Sequence, residues 1–338
     1  MTKNQHGGDI YQFAKEIKCD PREIIDFSSN INFIKPKLDI DFNTLNISPY
    51  PNYKILKEEI AKLYNVENFE IELFNGATSA IYSLFRLLDL KHATLYAPLY
   101  LEYKKAARAY GYHIDLIDRF KDIYKEIEPR SLVIFVNPST PDGTLYNLDK
   151  LMQIWMDKEC TILIDESFLD FSTSASSAKY LKRYKHLYIL KSMTKFYSAA
   201  GIRIGAIISS ANNIKQIQSK EPLWKLSQFD SHYLLSALRD KTFSTRSQTV
   251  NDRHRDYLIS MLKNYPETEE VFPSSANFVM VKLKNSDAET FQSQLIPYKI
   301  MIRNCSNFDF LDHSYIRIAV KDMPSLNTLK EALCTISI

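Results

Sequence analysis

The 338-residue sequence predicts an α/β fold: a mostly parallel central sheet flanked by helices, then a smaller α+β region. Three observations carry that prediction. From Ile71 to Ile208, short apolar runs alternate with stretches of helical period, the pattern of strands joined by crossover helices. The runs themselves, such as Leu132-Val133-Ile134-Phe135-Val136, lack polar alternation and so read as strands covered on both faces. Beyond Glu221-Pro222 the pattern changes to long helices and then to strands again, which starts a second region.

In chain order, His6-Gly7-Gly8 opens an irregular arm with a helix over Ile10 to Ile17, followed by Ile25-Asp26-Phe27-Ser28-Ser29-Asn30-Ile31-Asn32. Its clustered Ser and Asn favour turns that satisfy their own backbone. After Tyr50-Pro51 the helix Tyr53 to Tyr64 places Ile55, Leu56, Ile60 and Leu63 on one face. Strands are expected at Ile71–Phe74, Ala93–Ala97, His113–Ile117, Leu132–Val136, Thr161–Ile164, His186–Leu190 and Ile204–Ile208. The intervening helices are Ala77 onward, Leu101–Ala109 and Leu148–Met156. Later come helices Gln228–Arg239 and Ser244–Lys263, strand Asn277–Leu283, helix Ala288–Leu295, strands Lys299–Arg303 and Tyr315–Val320, and a closing helix from Ser325.

Composition narrows the function. The net charge of +3 is too small to argue for nucleic acid or an anionic membrane surface. No apolar run approaches the roughly 18 residues of a membrane span, and the polar start shows no secretory h-region, so a cytoplasmic protein is expected. The four cysteines have neither metal-ligand spacing nor the number for a disulfide framework. Glycine is scarce at seven residues, and six of them fall in candidate site segments, where a Cβ would hinder a turn or a close approach.

In open parallel sheets ligands collect beyond the carboxyl ends of the strands, and here those ends carry the chemistry. Asn75-Gly76-Ala77-Thr78-Ser79 joins a strand to a helix start, where free N–H groups and the positive helix end suit a phosphate. Asn137-Pro138 follows one strand and Asp165-Glu166 another. The segment Ser192-Met193-Thr194-Lys195 through Gly201-Ile202-Arg203 offers a lysine, hydroxyls and an arginine, a set suited to a carbonyl cofactor bearing a phosphate. Read without their partners, these residues have plainer roles: a solvated loop around Lys195, a turn cap at Asp165, a paired surface charge at Arg317.

The ordered set Asn75-Gly76-Ala77, Asn137-Pro138, Asp165-Glu166, Ser192–Lys195 and Gly201–Gly205 resembles the fold-type I enzymes that use pyridoxal 5′-phosphate, in the branch of histidinol-phosphate aminotransferase, from about His6 to Leu333. The resemblance implies that Lys195 forms the Schiff base, Asp165 partners the pyridine nitrogen, Asn137 contacts the ring oxygen and Tyr100 stacks on the ring. It gives the cofactor phosphate to Gly76, Ala77, Thr78, Ser192 and Arg203, and to Tyr50 reaching across a homodimer. It implies an arm at 1–45, a large cofactor domain at 46–222, and interdomain helices with a small domain at 223–338.

Within that branch, His6-Gly7-Gly8, the string Ile302–Phe308, and Phe168 where the aminotransferases usually have Tyr resemble the threonine-phosphate decarboxylases. The expected reaction is therefore decarboxylation of L-threonine-O-3-phosphate or L-serine-O-phosphate for cobamide synthesis. His6, Asn32, Arg303 and Arg317 are the expected grip on this small phosphorylated substrate. The alternative is an aminotransferase for histidinol phosphate or another phosphorylated amine, which would share every cofactor residue; a non-catalytic cofactor-binding scaffold is the third reading. Two positions depart from the family pattern: Asp142 stands where Thr is usual, and Ser167 where Ala is common.

Overall fold

The computed structural model describes residues 7–336. The arm holds helix α1 (Ile10–Ile17), capped by the Asp9 carboxylate accepting from Gln12 N, and a two-residue strand β1 (Ile25–Asp26). Helix α2 (Lys54–Tyr64) buries Leu56, Ile60 and Tyr64, the spacing of one helical face. Then follow β2 (Ile71–Asn75), α3 (Gly76–Leu87), β3 (His92–Ala97), α4 (Leu101–Ala109), β4 (His113–Asp118), β5 (Leu132–Val136), α5 (Asp149–Asp157) and β6 (Thr161–Asp165). Next are β7 (Leu187–Ser192), the single turn α6 (Met193–Phe196), β8 (Ile204–Ser209) and α7 (Ala211–Gln218). The remainder is α8 (Gln228–Arg239), α9 (Phe243–Lys263), β9 (Thr268–Val271), β10 (Phe278–Leu283), α10 (Ala288–Leu295), β11 (Ile300–Met301), β12 (Arg303–Asn304), β13 (Tyr315–Ala319) and α11 (Met323–Ile336).

The central sheet has the order β2-β8-β7-β6-β5-β3-β4. Its strands from β4 across to β7 are parallel. β8 is antiparallel to both β7 and β2, so the sheet is mixed rather than wholly parallel. The cause is the short link after Ser192: a parallel return needs a crossover of a dozen or more residues, usually helical, and the chain instead turns back through α6. Along β5, Val133 and Phe135 enter one apolar cluster with Ile162 and Ile208, while Leu132, Ile134 and Val136 enter another with Leu163 and Ile207. Both faces are covered, which explains the unbroken apolar run.

A second, antiparallel sheet has the order β12-β13-β10-β9. It shares a third apolar cluster with Leu258 and Leu262 of α9, Phe291 of α10 and Leu329 of α11. The strand expected over Lys299 to Arg303 is broken. β11 pairs in parallel with β1, and Arg303 pairs with β13. Between them Ile302 N donates to the Gln292 side-chain oxygen, at 2.8 Å, and so joins neither ladder. Among the described residues, no helix is long and apolar enough to cross a membrane.

Candidate active site

The carboxyl ends of β5, β6 and β7 meet the face of β13 around a cavity of about 270 Å³. Its walls bring together Ala77, Thr78, Tyr100, Asp165, Ser192, Lys195, Arg203, Arg303 and Arg317, nine of the residues singled out in the sequence. Among the described residues Asp165 is the only acid in that lining, against Lys195 and three arginines, so the cavity is built for anions.

On the large-sheet side, the joint from β2 to α3 forms the first wall. Gly76 has φ of +80°, and a Cβ there would lie 2.6 Å from Arg203 Nη2. Only glycine permits both the turn and the close guanidinium. No side chain caps the α3 N-terminus at Asn75, which leaves first-turn N–H groups for an anion. The Thr78 and Tyr100 hydroxyls stand 3.4 Å apart, and the Ser192 and Thr194 hydroxyls 3.0 Å apart. Burial raises the Tyr100 phenol, which Thr78 only partly offsets.

Asp165 is held by two donors, Tyr103 Oη at 2.8 Å and its neighbour Ser167 N at 2.8 Å. Tyr103, wholly buried on α4, was not predicted; it lies one helical turn after Tyr100, and that spacing was the available signal. Lys195 Nζ sits 4.0 Å from the centroid of the Phe168 ring. Its pKa is pushed down to about 8, first by burial and then by Arg317 and Arg203, with Asp165 opposing. A lysine so placed is readily deprotonated, the condition for joining a carbonyl carbon.

On the small-sheet side, Arg303 and Arg317 are directly opposite each other on β12 and β13. Arg303 donates to Asn304 O and to Asn307 Oδ1, at 2.5 and 2.6 Å, and its guanidinium lies over the Phe308 ring. Arg317 donates to Thr140 Oγ1 and Ser28 O, at 3.2 and 3.1 Å, while its buried Nε has no partner. Burial lowers both pKa values, that of Arg317 to about 10. Asn30, also unpredicted, lines the same cavity with its buried Oδ1 unpartnered. An orphaned donor and an orphaned acceptor in one wall mark a ligand surface.

Three expected side chains lie outside this lining, and a fourth falls outside the described residues. Asn32 does not reach the cavity: its amide donates to Phe196 O and Ser247 Oγ and its Oδ1 accepts from Ile34 N, so the side chain staples the arm to the Lys195 segment. Asn137 stands behind the lining. Its Nδ2 donates to Tyr146 O and its Oδ1 accepts from Tyr146 N, leaving one amide hydrogen uncommitted. Tyr50 is 74% exposed and stacks on Trp224, outside the cavity of its own chain. His6 lies outside the described residues; Gly7, beside it, lines the cavity.

The helix-start cradle, the paired hydroxyls and Arg203 fit a phosphate, and the deprotonatable lysine beside Asp165 fits an aldehyde-bearing pyridine ring. Fold and site together define a fold-type I enzyme that uses pyridoxal 5′-phosphate. The chain belongs to the aminotransferase class I and II family, whose model matches residues 26–336. It is 30% identical to the adenosylcobalamin biosynthesis bifunctional protein CobDQ of Leptospira interrogans, over 95% of this chain but only 40% of that longer protein. It is 25% identical to the threonine-phosphate decarboxylase of Salmonella typhimurium, over 98% of this chain and 96% of that one. The histidinol-phosphate aminotransferase structure from Clostridium acetobutylicum superposes with a TM-score of 0.83 at 28% identity, over 92% of this chain and 98% of that one.

Proposed function

We propose that the chain decarboxylates a phosphorylated amino acid, L-threonine-O-3-phosphate or L-serine-O-phosphate, giving aminopropanol or ethanolamine phosphate for cobamide synthesis. The observation that carries this reading is the opposed pair Arg303 and Arg317 in the cavity that holds Lys195. One arginine suffices for one carboxylate; two buried side by side suit a substrate with both a phosphate and a carboxylate. The 25% identical threonine-phosphate decarboxylase supports this substrate class, and the bifunctional adenosylcobalamin biosynthesis protein supports the link to cobamide synthesis.

Bound pyridoxal 5′-phosphate supplies an electron sink for a pair released at Cα. The chain's own residues would decide which Cα bond is released, by the orientation in which they hold the substrate. In this reading Arg303 and Arg317 together would hold the substrate's phosphate and carboxylate and so orient the Cα–carboxylate bond for release. With the cofactor bound, the Cα–carboxylate bond would break, carbon dioxide would leave, and the electron pair would remain at Cα until it is protonated. Lys195, whose pKa burial lowers to about 8, would then deliver a proton to Cα. Phe168 brings no hydroxyl to this centre, and its ring lies under the Lys195 ammonium nitrogen.

Carbon dioxide release from the two phosphoamino acids tests the proposal directly. Transamination with 2-oxoglutarate and no gas would refute it and favour the aminotransferase reading, to which the 28% identical solved structure belongs. We further propose a homodimer, with 46–222 as the large domain and 1–45 and 223–338 around the small one. Its support is the exposed Tyr50–Trp224 stack, flanked by exposed Ile47 and Leu223, a patch suited to burial against a second copy. Sedimentation at micromolar concentration reads the mass.

A further inference from the structure

Asp142, the departure in the Asn137–Gly143 turn, is fully buried and faces Arg119, equally enclosed at the end of β4. Arg119 Nη2 donates to Asp142 Oδ1 at 2.9 Å, to Pro98 O at 2.8 Å and to Thr140 O at 3.4 Å. Its Nη1 donates to Tyr146 Oη at 3.0 Å. Asp142 Oδ2 in turn accepts from Ser139 Oγ at 2.7 Å and Thr144 N at 3.3 Å. Each outer partner leads to a different part of the site. Pro98 is two residues before Tyr100; Thr140 lines the cavity and receives Arg317; the Tyr146 backbone holds both ends of the Asn137 amide. Gly143, next in the turn, accepts from Ser275 N at 2.8 Å and so ties the unit to the chain entering β10.

We infer that Arg119 and Asp142 form a positioning pair that sets Arg317, through Thr140, in register with Tyr100 and Asn137. Stability alone is a weak reason for such a pair, because two buried charges hold a turn no better than neutral groups of similar volume. What the guanidinium adds is a rigid planar fork that reaches two loop carbonyls, a phenol and a carboxylate at once. A substrate clamp on one sheet is thereby fixed relative to cofactor-side groups on another. The inference rests on reading Arg317 as the anion clamp.

The test uses the cofactor-loaded protein. In R119M/D142T both charges are removed, so no unpaired charge remains buried. Binding of inorganic phosphate and of O-phospho-L-threonine is followed through the cofactor's visible absorbance, beside the thermal midpoint. The expected result is one cofactor per chain, a midpoint near that of the parent, and anion binding weakened about tenfold or more. Combined with Arg317→Leu, the losses are expected to be less than multiplicative, since both act on one clamp. Parent-like binding by the folded double variant, or losses that multiply independently, would overturn the inference. If the double variant fails to fold, Tyr146→Phe carries the test. Removing one hydroxyl should weaken binding about threefold and shift the pH titration of the absorbance through Asn137; no change in either would overturn it. Because phosphate alone reports the coupling, failure of phosphothreonine to react would count against the proposed reaction and not against the pair.

Discussion

The opposed arginines make a prediction in which stability and binding part company. Directly paired like charges on neighbouring strands destabilise, and burial opposes the charge of both. Arg303→Met removes one of them. It forfeits the bonds to Asn304 O and Asn307 Oδ1 and the contact with Phe308, together about 2–4 kcal/mol. Against this stands relief of the guanidinium's desolvation, several kcal/mol, and of repulsion from Arg317. At roughly 8 Å and an effective dielectric of about 20, that repulsion is about 2 kcal/mol. The relief at least offsets the loss, so the ligand-free thermal midpoint should stay within about 5 °C of the parent or rise. Affinity for the phosphoamino acid should nonetheless fall about 100-fold, since a buried charged contact to an anion is worth about 2–5 kcal/mol. Thermal melts with and without O-phospho-L-threonine read both quantities. A midpoint lowered by much more than this with unchanged affinity would show that Arg303 is a structural residue and would refute the argument.

Other outcomes follow from the same geometry. The Lys195 pKa falls from 10.5 to about 8 in the cofactor-free chain; between these values the unfolded chain binds more protons, so stability contributed by this site rises with pH. Lys195→Met should therefore stabilise the cofactor-free protein below pH 8, by roughly 2 kcal/mol once solvent screening at the cavity is allowed for, and the gain should fade towards pH 10.5. Denaturant midpoints across pH check it, and the variant should show no cofactor absorbance. Gly76→Ala forces a side chain into φ of +80° and against Arg203; cofactor affinity, titrated by absorbance, should fall at least about tenfold. Asp165→Asn keeps an acceptor for Ser167 N but removes the charge, so turnover should drop about 100-fold or more with cofactor still bound.

Much of the fold is legible in the sequence, and the reasons are local. Leu132–Val136 announces itself because a strand covered on both faces must be apolar at every position. The direction of β8 could not be read in the same way, because a doubly buried run looks alike whichever way it points. The exchange of Asn32 for Asn30 has a similar cause. The two differ by two residues in an irregular arm, where no period assigns a face; only the tertiary bonds of Asn32 to Phe196 and Ser247 show that it is spent. Thr140 acts by holding Arg317, a role that carries no motif, and Tyr103, which holds Asp165, is signalled only by its spacing from Tyr100.

Asp142 shows where sequence reading stops and why. In the chain it is one substitution in a turn, tolerable because turns accept aspartate. In the fold its carboxylate has no exposure, and an unpaired charge there would be strongly destabilising. It therefore requires Arg119, 23 residues away in the chain, as its partner. Once Arg119 is present its remaining donors must also be satisfied, and the acceptors within reach are the carbonyls of Pro98 and Thr140 and the Tyr146 hydroxyl. A departure that reads as neutral in one dimension thus reorganises the hydrogen bonds behind three site loops. The residues that identify the cofactor lie in motifs, whereas Arg119 and Asp142, which hold the loops behind the site, meet only in the packing between them.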